Sequence, residues 1–400
     1  PKIGTDGLYE ESSSTYRIFS RAFCNFVFPP TINRPKPGNI KNENELDGVL
    51  PQDILDGSGD TTIADVADVA DGADVADGEK VADVADGEKV ADGEKVADDE
   101  KVADDEKVAD SSSHMSKIQK ALSDLNNSDE NFLRPEGLAI YSPKFLKMLN
   151  NITENEGLHL VYSQFRTLEG IGVFSMVLEK NGFARFTIGK DAVNEWTITV
   201  KEEDMGKPMF ALYTGTENNE EREIIRNIYN GAWDKIPTSL REQVERISEN
   251  NHHGEIIKVF MITSSGAEGI TLKNTRYVHI TEPYWHPVRV EQVIGRARRI
   301  CSHNELPENE RNVTVFVYLM RFTEHQKMLH PQGIATQQLL DKDGSKHDKD
   351  IPLTSDQALW EISNIKEKIN KQILSSIKGS SIDCTLHNDS TDDEPIVCMS

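Results

Sequence analysis

Five short and almost wholly apolar runs, set apart by helix-like and glycine-bearing stretches, limit this chain to few folds. They are His159–Phe165 (HLVYSQF), 209–215 (MFALYTG), Ile256–Thr263 (IIKVFMIT), 276–281 (RYVHIT) and Val313–Met320 (VTVFVYLM). A strand with one wet face alternates apolar and polar residues, whereas a strand covered on both faces need not. Between the runs, Ile171, Phe174, Val177 and Leu178 recur at helical spacing, with Gly182 placed as a stop signal. EREIIRNIYNG (221–231) reads as an acidic helix. Strands alternating with helices predict an α/β domain: a mostly parallel sheet with helices on both faces. The pattern runs from about Phe132 to Phe322, long enough for one such core.

The rest of the chain is less constrained. Residues 16–28, YRIFSRAFCNFVF, are apolar and aromatic but too few to make a core, so segment 1–33 is expected to pack on a partner lobe. Then come the repeats VADVADGADVADGEK, VADVADGEK, VADGEK and VADDEK. From Asp60 to Asp110 there are 19 acids, 5 lysines and no aromatic residue, a net of −14 out of the −24 of the chain. Such a stretch cannot bury enough apolar surface to fold, so 34–130 is expected to be a disordered acidic linker, and deletion of 60–110 is expected to be nearly silent. The remaining charge is ordinary, and the acidic total therefore does not argue against nucleic-acid binding, which depends on local patches. The four cysteines lack CxxC spacing, and no run of 18 apolar residues exists; these features fit a soluble intracellular protein with no membrane segment. The chain opens on Pro1 and reads as a fragment. Residues 331–400 form an extension in which Leu359, Ile362, Ile365 and Ile369 line one side of a terminal helix, followed by a loose polar tail.

Chemistry concentrates where parallel strands end, since ligands in such sheets sit beyond the carboxyl ends. Ser163-Gln164 leaves the first run, and TSSGAEGITL (Thr263–Leu272) leaves the third. The glycines of the latter permit close backbone approach to an anion. The fourth run leads through EPYWHP into EQVIGRARR (Glu291–Arg299). On a helical wheel Gln292, Arg296 and Arg299 share a narrow sector opposite Val290, Val293, Ile294 and Ala297. A buried stripe would anchor this helix while the guanidinium forks meet phosphate oxygens. Each piece alone has a plainer reading. The glycine turn could be a tight connection, the arginines could pair with neighbouring acids, and Trp285 could be a packing residue.

Taken in order, VYSQF, ITSSGAEGITL and EPYWHPVRVEQVIGRARR resemble the fourth, fifth and sixth motifs of superfamily 2 helicases. The signature Q-x-x-G-R-x-x-R falls on Gln292, Gly295, Arg296 and Arg299, and Trp285 and Pro287 look like the Swi/Snf-type branch. The wording is closest to helicase-like and early-transcription-factor NTPases of nucleocytoplasmic large DNA viruses. The likeness covers roughly half the chain. It implies a RecA-like second lobe, with Arg299 as arginine finger and Arg296 and Gln292 in support. It places Gly269, Thr271 and Gly295 near ATP. Ser163, Gln164, Thr263 and Ser264 would contact the nucleic acid. Glu268 falls where such proteins vary and receives no role.

One departure limits the inference. The sequence holds no G-x-x-x-x-G-K-[ST] loop; Gly189-Lys190 and Gly206-Lys207 lack the flanking glycine and hydroxyl. The expectation is thus a second lobe without its first: part of an ATP- and magnesium-dependent helicase or translocase, with magnesium held by the absent lobe and this chain inactive alone. The alternative is a non-catalytic DNA-binding module of a viral early transcription factor. Expected partners are DNA or RNA, a first RecA-like lobe in the same or another chain, and viral transcription machinery, in a virion or infected-cell cytoplasm.

Overall fold

A computed structural model of the chain describes residues 18–35, 116–128, 130–214, 218–263, 269–328 and 353–380. All five apolar runs form strands: β1 (Leu158–Tyr162), β5 (Met209–Tyr213), β6 (Val259–Ile262), β7 (Thr275–Ile280) and β8 (Thr314–Val317). A two-residue strand, β2 (Ala184–Arg185), completes a six-stranded sheet in the order β2-β5-β6-β1-β7-β8. Each pairing in it is parallel. The remaining strands, β3 (Ile188–Lys190) and β4 (Trp196–Ile198), make a separate antiparallel hairpin.

Both faces of the sheet are covered, which is why its strands lack a polar side. Val161, Val259 and Met261 point into one core cluster, while Leu160, Tyr162, Phe260 and Ile262 point into the other. The first face is covered by α2 (116–127), α4 (Pro143–Glu154) and α5 (Ile171–Lys180), with α3 (Pro135–Tyr141) leading into α4 and α1 (Ile18–Asn25) packed on α4. The second is covered by α6 (Asn219–Tyr229), α7 (Thr238–Ile247) and α8 (Pro287–Ala297). Among the described residues, α9 (Glu324–Met328) and α10 (Ser355–Ser380) follow β8.

Two placements differ from the sequence reading, and one adds to it. In the described part of segment 1–33, Phe26 and Phe28 join the first core cluster of this lobe, with Phe26 stacked on Phe145 at 6.3 Å. The lobe begins earlier than residue 131. Ile118, Ala121, Leu122 and Leu125 of α2 have helical spacing and are all buried, a short amphipathic signal masked by the acidic stretch before it. The terminal helix exists, yet little of it beyond its start is covered. Ala358 and Leu359 are buried, whereas Ile365 and Ile369 are about half exposed at 54% and 48%. The acidic repeats lie outside the described residues.

A polar chain crosses the first face. His159 Nε2 lies 3.2 Å from the Asn155 carbonyl, His159 Nδ1 lies 2.9 Å from His279 Nε2, and His279 Nδ1 lies 2.8 Å from the Tyr318 hydroxyl. A carbonyl only accepts, so His159 carries its proton on Nε2 and takes one from His279; Tyr318 in turn donates to His279. Asn151 donates to Tyr318 at 2.8 Å. Every link has a donor and an acceptor with both imidazoles neutral. Burial pushes His159 down to about 3 and holds His279 well below the ordinary histidine value.

Candidate functional site

The predicted residues divide into two groups at opposite ends of the sheet. Strand β1 sits between β6 and β7, so its carboxyl end lies where the connections diverge to either side, the usual crevice of an open parallel sheet. Ser163, Gln164 and Thr263 are there, beside Glu282 at the exit of β7. Helix α8 then runs back along the sheet. Its 11 residues span about 16 Å. Asn274 N–H donates to the Ser302 carbonyl at 2.9 Å, which puts the Arg299 turn beside the start of β7.

At the carboxyl end the predicted side chains are engaged internally. Ser163, only 1% exposed, donates its hydroxyl to Glu282 Oε1 at 2.6 Å. The Gln164 N–H donates to Glu282 Oε2 at 2.9 Å, and Asn25 donates its amide to the same carboxylate. Arg21 donates to Gln164 Oε1 and lies over the Phe165 ring at 5.5 Å. Thr263, 2% exposed, donates to the Thr214 carbonyl at 3.1 Å. Ser163 and Thr263 thus shape the crevice from within, while half-buried Gln164 stands at its surface with a buried Nε2 that has no partner. Ser264 and Glu268 lie outside the described residues. Burial pushes the Glu282 carboxyl up; nearby Lys144 and its three donors pull it back.

The other end is open. Helix α8 starts at Pro287, whose missing N–H costs nothing there, with His286 Nδ1 accepting from Val288 N–H. Val293, Ile294 and Ala297 are buried, as the wheel required, and Gln292 is exposed. Arg299 is not on the helix. The helix ends at Ala297, and a turn with Cys301 in the left-handed region (φ 61°) carries the arginine outward. Ser302 holds that turn: its hydroxyl accepts from Arg299 N–H at 3.3 Å and lies within donating distance of the Ala297 carbonyl at the helix end and the Arg299 carbonyl in the turn. The Arg299 guanidinium donates to Thr271 Oγ1 at 2.7 Å and to the Gly295 carbonyl at 3.4 Å. Three residues expected near a nucleotide therefore meet.

Thr271 is fixed by its backbone. Asn230, just past α6, donates to the Thr271 carbonyl at 2.9 Å and accepts from Lys273 N–H at 2.8 Å. Leu272 N–H donates to the Arg296 carbonyl at 3.0 Å. Gly269 takes φ 71°, a conformation that favours glycine. At Gly295 the reason differs: a Cβ there would meet nothing within 4 Å, so packing inside the lobe does not require glycine. Arg296 is half-buried and its Nε has no partner. Trp285 is exposed, with Lys366 Nζ 3.7 Å from its ring centre. The sequence did not single out Asn230, Ser302, Glu282, Asn25 or Arg21. Only Asn230-Gly231, a helix-stop pair, left a local signal.

These donors suit an anion. Among the described residues no group of three His, Cys, Asp or Glu is placed to hold a metal ion. No helix among them is long and apolar enough to cross a membrane.

The parallel sheet, the ordered motifs and the arginine turn are similar to those of helicase C-terminal lobes. Residues 234–301 match the helicase conserved C-terminal domain. The chain is 27% identical over 390 residues to an Acanthamoeba polyphaga mimivirus protein named as an ATP-dependent RNA helicase, covering 94% of this chain and 40% of that protein. It is 29% identical over 272 residues to a termination factor NPH-I homolog of African swine fever virus, covering 62% and 34%. The C-terminal part of the Fun30 ATPase domain aligns with a TM-score of 0.31 at 14% identity, over 62% of this chain and 58% of that one. The chain spans between a third and two fifths of the length of the two viral relatives.

Proposed function

We propose that this chain is the second lobe of an ATP-driven nucleic-acid translocase or helicase, and that Arg299 is its arginine finger. The observation that carries the reading is the junction of Arg299, Thr271 and Gly295. A guanidinium is presented on a turn, supported by a hydroxyl and a carbonyl, beside a helical glycine that nothing in the lobe crowds. Ile300, next to the arginine, is 97% exposed, as suits a surface another lobe would cover.

When bound, ATP supplies the phosphoryl group transferred to water. Arg299 would meet charge developing on that group, where a fixed, water-excluded donor is worth most. Thr271 holds the guanidinium extended meanwhile, and Arg296 and Gln292 flank it. Gly269 and Gly295 leave room for backbone approach. At the far end half-buried Gln164 would face the nucleic acid, its amide turning from Arg21 to meet it, with Ser163 and Thr263 as the frame beneath and Ser264 following. Magnesium and the β-phosphate belong to a first lobe, in this chain's own protein or in a partner. DNA or RNA is the track in this reading, and viral transcription machinery is a partner.

The test is steady-state ATP hydrolysis. The chain alone is expected to show no turnover, and supplying a Walker-loop lobe should restore it. Turnover by the chain alone that Arg299→Ala abolishes would overturn the reading.

A further inference from the structure

The crevice that carries Gln164 is joined by buried hydrogen bonds to α1 and α10. Glu282 is the centre, accepting from Ser163, from Gln164 N–H and from Asn25. Asn25 Oδ1 accepts from Lys144 Nζ at 2.8 Å. The same ammonium pairs with Asp356 Oδ2 at 2.5 Å, in the first turn of α10, with side chains 2% and 0% exposed. Asp356 Oδ2 also accepts Met320 N–H at 2.9 Å, where the chain leaves the sheet. Asp356 Oδ1 is buried without a partner.

Holding a helix on a lobe does not need this arrangement. Burying an ion costs several kcal/mol, and a packed apolar pair of similar volume often does as well or better. What a buried, bonded network adds is geometry, because each member fixes the orientation of the next. Here the members lie in sequence order far apart yet form one path: α10, α4, α1, then the loop after β1.

We infer that Lys144, Asn25 and Glu282 are positioning residues that couple docking of the terminal helix α10 to the placement of the Gln164 loop. The ends of the described chain are then not passive flanks. Loss of the Asp356 contact frees Lys144 from one partner, Asn25 loses its fixed donor, and the carboxylate that orients Ser163 and the Gln164 backbone shifts. The consequence for nucleic acid rests on the role proposed for Gln164.

Hydrogen exchange on the full chain tests the coupling. Asp356→Asn is expected to speed amide exchange in the first turns of α10 and also, about tenfold or more, in 163–169. The double variant Lys144→Met/Asp356→Leu keeps α10 docked through an apolar pair; it should restore protection at 355–362 but not at 163–169. Affinity for a fluorescein-labelled single-stranded DNA of about 20 nucleotides should fall at least fivefold in both variants. Unchanged exchange at 163–169 in Asp356→Asn, or its recovery in the double variant, would overturn the coupling. Failure of the wild-type chain to bind either DNA or RNA would instead overturn the nucleic-acid reading and leave the exchange result standing.

Discussion

The two ends of the sheet hold equally prominent motif residues but treat them in opposite ways. At the carboxyl end, Ser163, Thr263 and Glu282 are almost wholly buried and each hydroxyl or carboxylate is satisfied inside the lobe. At the α8 end, Arg299 is exposed, and Gly295 faces open space. Removing a buried, satisfied group leaves its partners stranded, so the first region should answer mutation in stability. The second has little to lose in the folded lobe and should answer in chemistry. A motif thus mixes frame and instrument, and burial sorts them.

The largest effect should come from the exposed end. In a protein that joins this lobe to a Walker-loop lobe, Arg299→Ala is expected to lower the ATP hydrolysis rate about a thousandfold or more. The urea midpoint of the isolated chain should barely move. A large loss of stability with normal hydrolysis would reverse the comparison. Next comes Glu282→Ala, which strands the Gln164 N–H and one N–H of the Asn25 amide in a buried site and leaves the Ser163 hydroxyl only the Phe165 carbonyl. Unfolding free energy should drop by about 3 kcal/mol or more, read from urea titration with circular dichroism; a shift under about 1 kcal/mol would mean water readily replaces the carboxylate.

Acid probes the buried side in a third place. His159 and His279 have folded values below the ordinary 6.5, so the unfolded chain binds protons first and stability falls with pH. Their full contribution is present above about pH 6.5 and is lost as pH drops from there, with the limb of His159 extending to about 3. Each proton taken up only on unfolding costs about 1.4 kcal/mol per pH unit. The groups around the pair are Lys258, which lowers His159 further, and the rings of Tyr277, Phe316 and Tyr318. Glu282, pushed up by burial, works in the opposite sense near the carboxylate range. Replacing both histidines by phenylalanine should flatten the fall in melting temperature between pH 7.5 and pH 5; an unchanged fall would place the acid-sensitive groups elsewhere.

How much of this could be read from the chain follows from what each feature depends on. The five long strands and the buried stripe of α8 depend on local periodicity, and the sequence carries that directly. Helix α7 has only Leu240 and Val244 buried, too few points to set a phase. The exit of Arg299 from the helix was not legible, because the turn is made by Ser302 and a left-handed Cys301 where a glycine would have announced it. Glu282 is the clearest case. It is one acid after an apolar run, and its role exists only because β1 and β7 pair in register, which sets it under Ser163. Nothing within a few residues of either could have shown that.

The smallest effect is the most discriminating, because two helical glycines give opposite answers. A Cβ at Gly172 would sit 1.9 Å from the Thr167 carbonyl, which is backbone and cannot move aside, so Gly172→Ala should destabilise the lobe. At Gly295 the added methyl meets nothing, and alanine is the better helix former. Gly295→Ala should therefore stabilise the isolated chain by about 0.5–1 kcal/mol, as read by urea unfolding. In the two-lobed protein the same methyl should reduce hydrolysis, since it occupies the space a nucleotide would approach. If Gly295→Ala stabilises the chain and leaves hydrolysis intact, the open glycine has no part in the site. The arginine turn would then have to stand on Arg299 and Thr271 alone.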